Sequence, residues 1–193
     1  MIIGEAFKRL FDGLEVDTYF YDVNDVKQTV KQKVQFHYGD HKELIKWSVE
    51  MNDLRAVKYP LLWYVTSPYQ DEENSFKRCK SRFIILFSFR DMEQYSWFNH
   101  VKSKKTYDAV IEPVWNSVKS LLGSKPEALQ VLGNRNKRYI IKDEPNYGVT
   151  TDGVRTSQSD FTTTNTKGDE SITLDWVDGR IIELDFRINT NCI

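Results

Sequence analysis

Residues 81–90 read Ser-Arg-Phe-Ile-Ile-Leu-Phe-Ser-Phe-Arg, which is the most apolar run in the chain. Phe83, Ile85, Phe87 and Phe89 alternate onto one face, while arginine, serine and aliphatic residues share the other. Alternation with a period of two is typical of a β-strand. The run therefore predicts a central strand that is wholly apolar on one side and mixed on the other.

A helical pattern follows over 106–122, where large apolar side chains recur at steps of three and four: Tyr107, Val110, Ile111, Val114, Trp115, Val118, Leu121 and Leu122. This spacing predicts an amphipathic helix with one wide apolar stripe. Thr106 is the expected N-cap, and Gly123 lies just beyond the expected end. Pro113 lacks a backbone donor and crowds the carbonyl of Ala109, so we expect a single kinked helix.

Shorter patterns predict further elements on both sides of this strand and helix. In chain order they are a helix over 6–14 that ends near Gly13, strands over 16–23 and 30–38, a helix capped by Asp40 that contains Leu44, Trp47, Met51 and Leu54, a strand over 61–66 after Pro60, a loop over 67–80 and a strand over 138–142.

The C-terminal third contains a long polar segment and two apolar alternations. Residues 145–169 are rich in Thr, Ser, Asn and Gly, and a segment of this length predicts a protruding arm or long hairpin. The alternating sets are Ile172, Leu174 and Trp176, then Ile182, Leu184, Phe186 and Ile188. Burial requires Leu174 to lie opposite Ile182. This pairing predicts a three-residue turn over 177–179, with Gly179 in the left-handed region.

The composition limits the class of protein. The 193 residues suffice for one domain with a core, and a net charge of -1 indicates neither a nucleic-acid-binding field nor acidic disorder. Cys79 and Cys192 form no disulfide framework, which indicates free thiols in a reducing compartment. No segment approaches the ~18 apolar residues of a membrane span, and the N-terminal residues lack the pattern of a signal peptide. We therefore expect a soluble protein made in the cytosol.

Histidines and carboxylates were weighed as possible metal ligands. Gly39 interrupts any helix that would bring His37 and His41 together beside Asp40, and His100 stands alone. The sheet-borne acids that suggest a nuclease-type metal site are Asp143, Glu144, Asp175, Glu183 and Asp185. Glu183 and Asp185 share the face opposite Leu184, where solvated charges belong, and Arg187 continues that face as a partner for them.

The remaining motifs also favour structural roles. Residues 123–125, Gly-Ser-Lys, follow a helix and lack the preceding glycine of a phosphate loop, so they indicate a helix C-cap. The basic clusters are small, and we expect them to be solvated: Lys102, Lys104 and Lys105, then Arg135, Lys137 and Arg138. The sequence thus predicts no catalytic residue, no cofactor-binding residue, no metal ligand and no cofactor.

Four phrases, together with the order of the expected elements, carry a resemblance. They are Lys-Tyr-Pro-Leu-Leu-Trp at 58–63, Phe-Ile-Ile-Leu-Phe at 83–87, Tyr-Asp-Ala-Val-Ile-Glu-Pro-Val-Trp at 107–115 and Ile-Ile-Glu-Leu-Asp-Phe-Arg-Ile at 181–188. With them the chain resembles neck proteins of tailed bacteriophages, namely tail-terminator or head-to-tail joining ring proteins in the style of crAss-like phages. The segment 145–169 and the helix after Asp40 depart from the minimal pattern of that family.

The resemblance implies one α+β domain over 1–193, with a mostly antiparallel sheet packed by one long helix and shorter helices, and with 145–169 protruding as an arm. It implies a non-enzymatic virion protein whose identical copies form a ring in the neck. The expected partners are adjacent portal or tail ring proteins and the double-stranded DNA that passes through the lumen without specific binding, and no membrane is expected. The alternatives are a metal-dependent nuclease-like enzyme and a monomeric adaptor that binds at an open sheet edge.

Overall fold

The computed structural model describes residues 3–22, 24–40, 42–44, 46–47, 50, 59–66, 68, 70–71, 76–88, 103–124, 129–132, 139–144 and 177–189. Their elements are α1 (Ile3–Phe11), β1 (Glu15–Tyr21), β2 (Lys27–Lys33), β3 (Gln35–Gly39), β4 (Leu61–Val65), β5 (Gln70–Asp71), β6 (Phe76–Ser88), a π-helical segment (Ser103–Ile111), α2 (Glu112–Gly123), β7 (Leu129–Leu132), β8 (Tyr139–Glu144) and β9 (Val177–Asn189). Sheets with a few helices, one of them long, confirm the expected α+β class.

Strand β6 lies at the centre of a seven-stranded sheet with the order β3-β4-β6-β9-β7, in which β5 also pairs with β6 and β8 with β9. Among the strands that the structure describes, β3 and β4 are the one parallel pair. The predicted central strand is confirmed, but the expected loop over 67–80 is wrong at Gln70–Asp71, which form β5, and for its last five residues, because β6 begins at Phe76. These last five residues are held in the sheet because β9 pairs with the whole of β6, from Phe76↔Asn189 to Ser88↔Val177.

Each face of the sheet buries its own apolar cluster. On the face covered by α1 and α2, Phe7 lies 5.0 Å from the ring centroids of both Tyr64 and Phe83, and 5.2 Å from that of Phe186. On the opposite face, Leu44 packs with Trp63 and their neighbours. Strand β4 is buried on both faces, which explains why its run of large apolar residues is continuous.

The long helix differs from its predicted form at the N-terminal end. It begins at Ser103 with π-helical winding and becomes α-helical at Glu112. Thr106 therefore lies inside the helix, fully buried, and is not the N-cap. Pro113 stands at the first turn of the α-helical part, where a missing backbone N–H is least costly. The helix is continuous through the proline, and the irregularity is the change of winding.

Two N-terminal predictions have different outcomes. The helix predicted after Asp40 has helical residues at 42–44, 46–47 and 50, while Met51 and Leu54 lie outside the described residues. Asp40 caps it as expected, because Glu43 N–H donates to Asp40 Oδ1 at 2.8 Å and Asp40 N–H donates to Glu43 Oε2 at 2.7 Å. The single strand over 30–38 is wrong, since the chain forms β2 and then β3. The break falls at Val34, whose N–H still donates to Leu14 O at 2.8 Å in the β1–β2 register, whereas the next residue, Gln35, donates to Pro60 O at 2.9 Å and enters the ladder with β4.

The predicted turn over 177–179 is also wrong. These residues belong to β9, and Gly179 lies opposite Leu86 on β6 and Glu144 on β8, not in a left-handed turn. Partners on both sides hold this segment extended, which no local pattern could indicate. Residues 172–176 and the predicted arm over 145–169 lie outside the described part of the chain. The predicted strand near 138–142 is confirmed as β8.

Candidate functional site

The two carboxylates with the strongest claim to a metal site lie in ion pairs. Arg82 lies directly opposite Glu183, and its Nη2 is 2.6 Å from Glu183 Oε1. Arg78 Nη2 lies 3.1 Å from Asp185 Oδ2. Arg187, the partner expected from sequence, places its guanidinium 4.2 Å from the centroid of the Phe76 ring. The outer face of β6 and β9 thus carries a cross-strand ladder of charges.

A second group of acids meets at Arg180. Its guanidinium is buried and binds Asp143 through two hydrogen bonds, Nε to Oδ1 at 2.6 Å and Nη2 to Oδ2 at 2.9 Å. It also donates through Nη1 to Glu112. Burial acts to lower the pKa of Arg180, but the hydrogen bonds to the two carboxylates outweigh it, and the pKa is raised. This cluster joins β8, β9 and the start of α2.

The Arg180 cluster has a buried phenol beside it. The Tyr107 hydroxyl donates to Gly179 O at 3.2 Å. Burial, followed by the negative charges of Asp178 and Asp143, raises the pKa of Tyr107. The sequence did not indicate that Arg180 and Tyr107 make polar contacts, because it predicts a turn over 177–179. The signal that could have found Arg180 is its position in the same alternation as Ile182 and Leu184.

Two further candidates, His37 and Cys79, pack against aromatic side chains. His37 packs beside two indoles that also contact each other, with ring centroids 4.6 Å from Trp47 and 6.2 Å from Trp63, and burial lowers its pKa. Cys79 is buried, with Sγ 3.9 Å from the Tyr64 hydroxyl, and burial raises its pKa to about 11. Among the residues that the structure describes, no group of three or more His, Cys, Asp and Glu side chains could hold a metal ion. The other candidates, His41, His100, Asp175 and Cys192, lie outside them.

The basic cluster at 102–105 contributes to the fold. Lys104 Nζ lies 2.8 Å from Asp25 Oδ2 and 4.2 Å from the centroid of the Tyr21 ring. The hydrogen bond with Asp25 raises the pKa of Lys104. These contacts hold the tip of the β1–β2 hairpin against the π-helical segment.

The two remaining motifs lie elsewhere in the chain. The cluster Arg135, Lys137 and Arg138 lies outside the described residues. Ser124 has the expected capping role, because its Oγ donates to Leu121 O at 2.7 Å.

Two surfaces expose large apolar side chains. The hairpin surface consists of Phe20, Val26 and Val30, which are 52%, 51% and 37% exposed. What we call the β8 surface is strand β8 itself, on which Ile140 and Ile141 are 60% and 44% exposed and point to opposite faces of the sheet. Sequence reasoning did not identify either surface. The available signal was the alternation of Val26 and Val30 with lysines after an Asp-rich turn.

The arrangement offers contact surfaces more clearly than reaction chemistry. The singled-out acids Asp143, Glu183 and Asp185 each bind an arginine, whereas the hairpin surface and the β8 surface face solvent. No helix in the described part of the chain is long and apolar enough to cross a membrane. The chain matches no protein-family model, no curated protein and no solved structure.

Proposed function

We propose that this chain is a structural protein of a tailed-bacteriophage virion, whose identical copies form a ring in the neck. The ring would join the portal in the head to the tail, around the path of the DNA. The sequence resemblance described above suggests this class, and the α+β architecture with a long helix on a mostly antiparallel sheet is compatible with it.

The observation that carries the proposal is the presence of two unlike exposed apolar surfaces on different elements. The hairpin surface belongs to β1 and β2, and the β8 surface belongs to the large sheet. A subunit with two different exposed apolar surfaces can bind the next copy head to tail. Such contacts close into a ring when the rotation between copies allows it.

The charged face of the sheet supports a structural role over the nuclease alternative. A nuclease would need Glu183 and Asp185 free to bind a metal ion, whereas Arg82 and Arg78 bind these carboxylates. Arginine–carboxylate pairs across neighbouring strands add to strand pairing. The same acids are thus accounted for as part of the sheet.

Electron microscopy of assembled particles tests the proposal. Particles produced from the genome that encodes the chain would be labelled with a specific antibody, and the purified chain would be imaged alone. Label at the junction of head and tail, with ring-shaped density of repeated copies, supports the proposal. Label confined to another part of the particle, or a chain absent from particles, overturns it. An isolated monomer is not decisive by itself, because phage ring proteins often assemble only on the particle.

A further inference from the structure

We propose that neighbouring copies join by pairing β2 of one copy with β8 of the next, in antiparallel orientation. This inference rests on the proposed ring, and it names the surfaces that form the contact. Within the described residues, β2 pairs only with β1, and β8 pairs only with β9. Among the described strands, each of the two therefore has one edge without a partner, and such an edge can extend a neighbouring sheet. The strands have similar lengths, seven residues for β2 and six for β8.

Charge selects this pairing over pairing of like strands. β2 contains Lys27, Lys31 and Lys33 and no acidic residue, while β8 contains one lysine followed by Asp143 and Glu144. Two antiparallel β2 strands centred on Val30 would place Lys27 opposite Lys33 twice, and like charges directly opposite are destabilising. β2 is basic and β8 is acidic, so these two strands can pair without this repulsion between lysines.

The apolar residues then define the register. With Ile141 opposite Val30 in an antiparallel pair, Glu144 falls opposite Lys27 and Lys142 opposite Thr29. A parallel pair with the same two apolar residues aligned would place Lys142 opposite Lys31, which is repulsive. Two β8 strands aligned at Ile141 would place both Ile140 side chains opposite Lys142 and bring no acid opposite a lysine. The β2–β8 pair places its one Ile140 opposite Lys31 but gains the pair of Glu144 with Lys27, so charge favours it.

Burial gives this contact its driving force. Val30 and Ile141 are 37% and 44% exposed in the single chain, so their contact would remove apolar surface from water. A strand added to a sheet edge also satisfies backbone groups that water otherwise binds. Each contact uses β2 of one copy and β8 of the next. The β8 strand of the first copy and the β2 strand of the second copy therefore stay available for further copies. Repetition of this contact builds a ring when the rotation between copies closes.

Disulfide trapping in the full chain tests the pairing. Thr29→Cys and Lys142→Cys are prepared separately in a Cys192→Ser background, since Thr29 and Lys142 are both exposed and the proposed register places them opposite each other. Opposite residues of antiparallel strands lie about 4.5–5.5 Å apart at Cα, within reach of a disulfide. The proposal predicts a linked dimer when the two variants are mixed, and none when either is oxidised alone. A linked dimer from Lys142→Cys alone overturns it.

A charge exchange supplies a second measurement. Lys27→Glu should lower the yield of the mixed dimer by about fivefold, because it places a second carboxylate opposite Glu144. Adding Glu144→Lys to the partner should restore the yield. Lys119→Glu, at an exposed position on α2, is the matched control and should leave the yield unchanged. Unchanged yield with Lys27→Glu overturns the pairing, provided that thermal unfolding under reducing conditions shows the variants to be folded.

The outcomes separate this inference from the proposed function. Rings seen by electron microscopy without the mixed dimer overturn the β2–β8 pairing and leave the ring proposal standing. A mixed dimer from a protein that antibody labelling places outside the phage neck supports the pairing and overturns the proposed function. Particles with neither a ring nor the mixed dimer overturn both.

Discussion

Arg180 on β9 binds Asp143 on β8 with two hydrogen bonds, at 2.6 Å and 2.9 Å, from a position where only 7% of the arginine is exposed. The two residues are 37 positions apart in the sequence. The same guanidinium also binds Glu112 at the start of α2. One buried cation therefore holds the exposed β8 strand, its neighbour in the sheet and the long helix in a single arrangement.

Removal of this cation should weaken the fold. Arg180→Met keeps much of the side-chain volume but leaves Asp143 and Glu112 without their shared donor. We expect a loss of roughly 2–4 kcal/mol in the free energy of unfolding, below the upper range for buried pairs because both carboxylates can rehydrate. Arg187→Met, on the more open face of the same strand, should cost about 1 kcal/mol or less. Urea denaturation measures both, and equal losses would contradict the role given to Arg180.

The aromatic cluster between α1 and the sheet should be the most sensitive part of the apolar core. Phe7 is fully buried among Tyr64, Phe83 and Phe186. Phe7→Ala should lower the free energy of unfolding by about 3–5 kcal/mol. Phe20→Ala is the control, since Phe20 is half exposed and should change it by about 0.5 kcal/mol or less. The prediction fails if chemical denaturation gives the two variants similar midpoints.

Two helical glycines should respond in opposite directions to alanine. A Cβ at Gly4 would overlap the ring of Tyr38, whereas a Cβ at Gly123 would meet no atom within 4 Å. Gly4→Ala should therefore destabilise the protein by about 1–3 kcal/mol through overpacking. Gly123→Ala should leave stability unchanged or raise it by up to about 1 kcal/mol, since alanine favours the helix. Thermal unfolding by circular dichroism compares them, and a harmless Gly4→Ala would show that the α1–β3 contact can open.

His37 should make stability depend on pH in the mildly acidic range. Burial against Trp47 and Trp63 lowers its pKa below the ordinary value of 6.5. Above that value the histidine is neutral in both the folded and unfolded states, so its environment imposes no penalty. As the pH falls through 6.5 the unfolded chain takes up the proton first, and stability decreases until the folded-state pKa is passed.

A variant without His37 isolates the contribution of this side chain to the pH dependence of stability. His37→Gln cannot take up the proton, so its unfolding free energy should fall less than that of the unaltered chain between about pH 7.5 and about pH 5.5. His41 and His100 remain in both proteins and cancel in the comparison. Parallel pH profiles for the two proteins would exclude the proposed desolvation of His37.

The thiol of Cys79 should be unreactive in the folded protein. It is buried, and burial raises its pKa to about 11, so little thiolate forms near neutral pH. In a Cys192→Ser background, Ellman's reagent should label Cys79 only as fast as the protein opens. Addition of urea above the unfolding midpoint should make labelling rapid. Fast labelling without denaturant would contradict the packing of Cys79 beside Tyr64.

Local patterns predicted the elements whose own side chains carry the signal within a few residues of one another. The alternation around Phe83 and Ile85 identified β6, because a strand with one wholly apolar face needs no knowledge of its neighbours. Asp40 was recognised as a cap because its partner, Glu43, is three residues away. The register of 177–179 could not be found in this way, since β9 is held by β6 and β8, which are distant in the chain.

By itself, the sequence determined the α+β class, the central strand, the long apolar stripe of the helix and the cap at Asp40. Periodicity and capping depend on side chains within a few residues of one another, so they can be recognised along the chain. Only the tertiary structure decided that Arg180 is buried against Asp143, that Thr106 lies inside a helix and that the hairpin and β8 surfaces remain exposed. Burial and ion pairing depend on which segments meet in space, and strand partners more than a hundred residues apart carry no local signature.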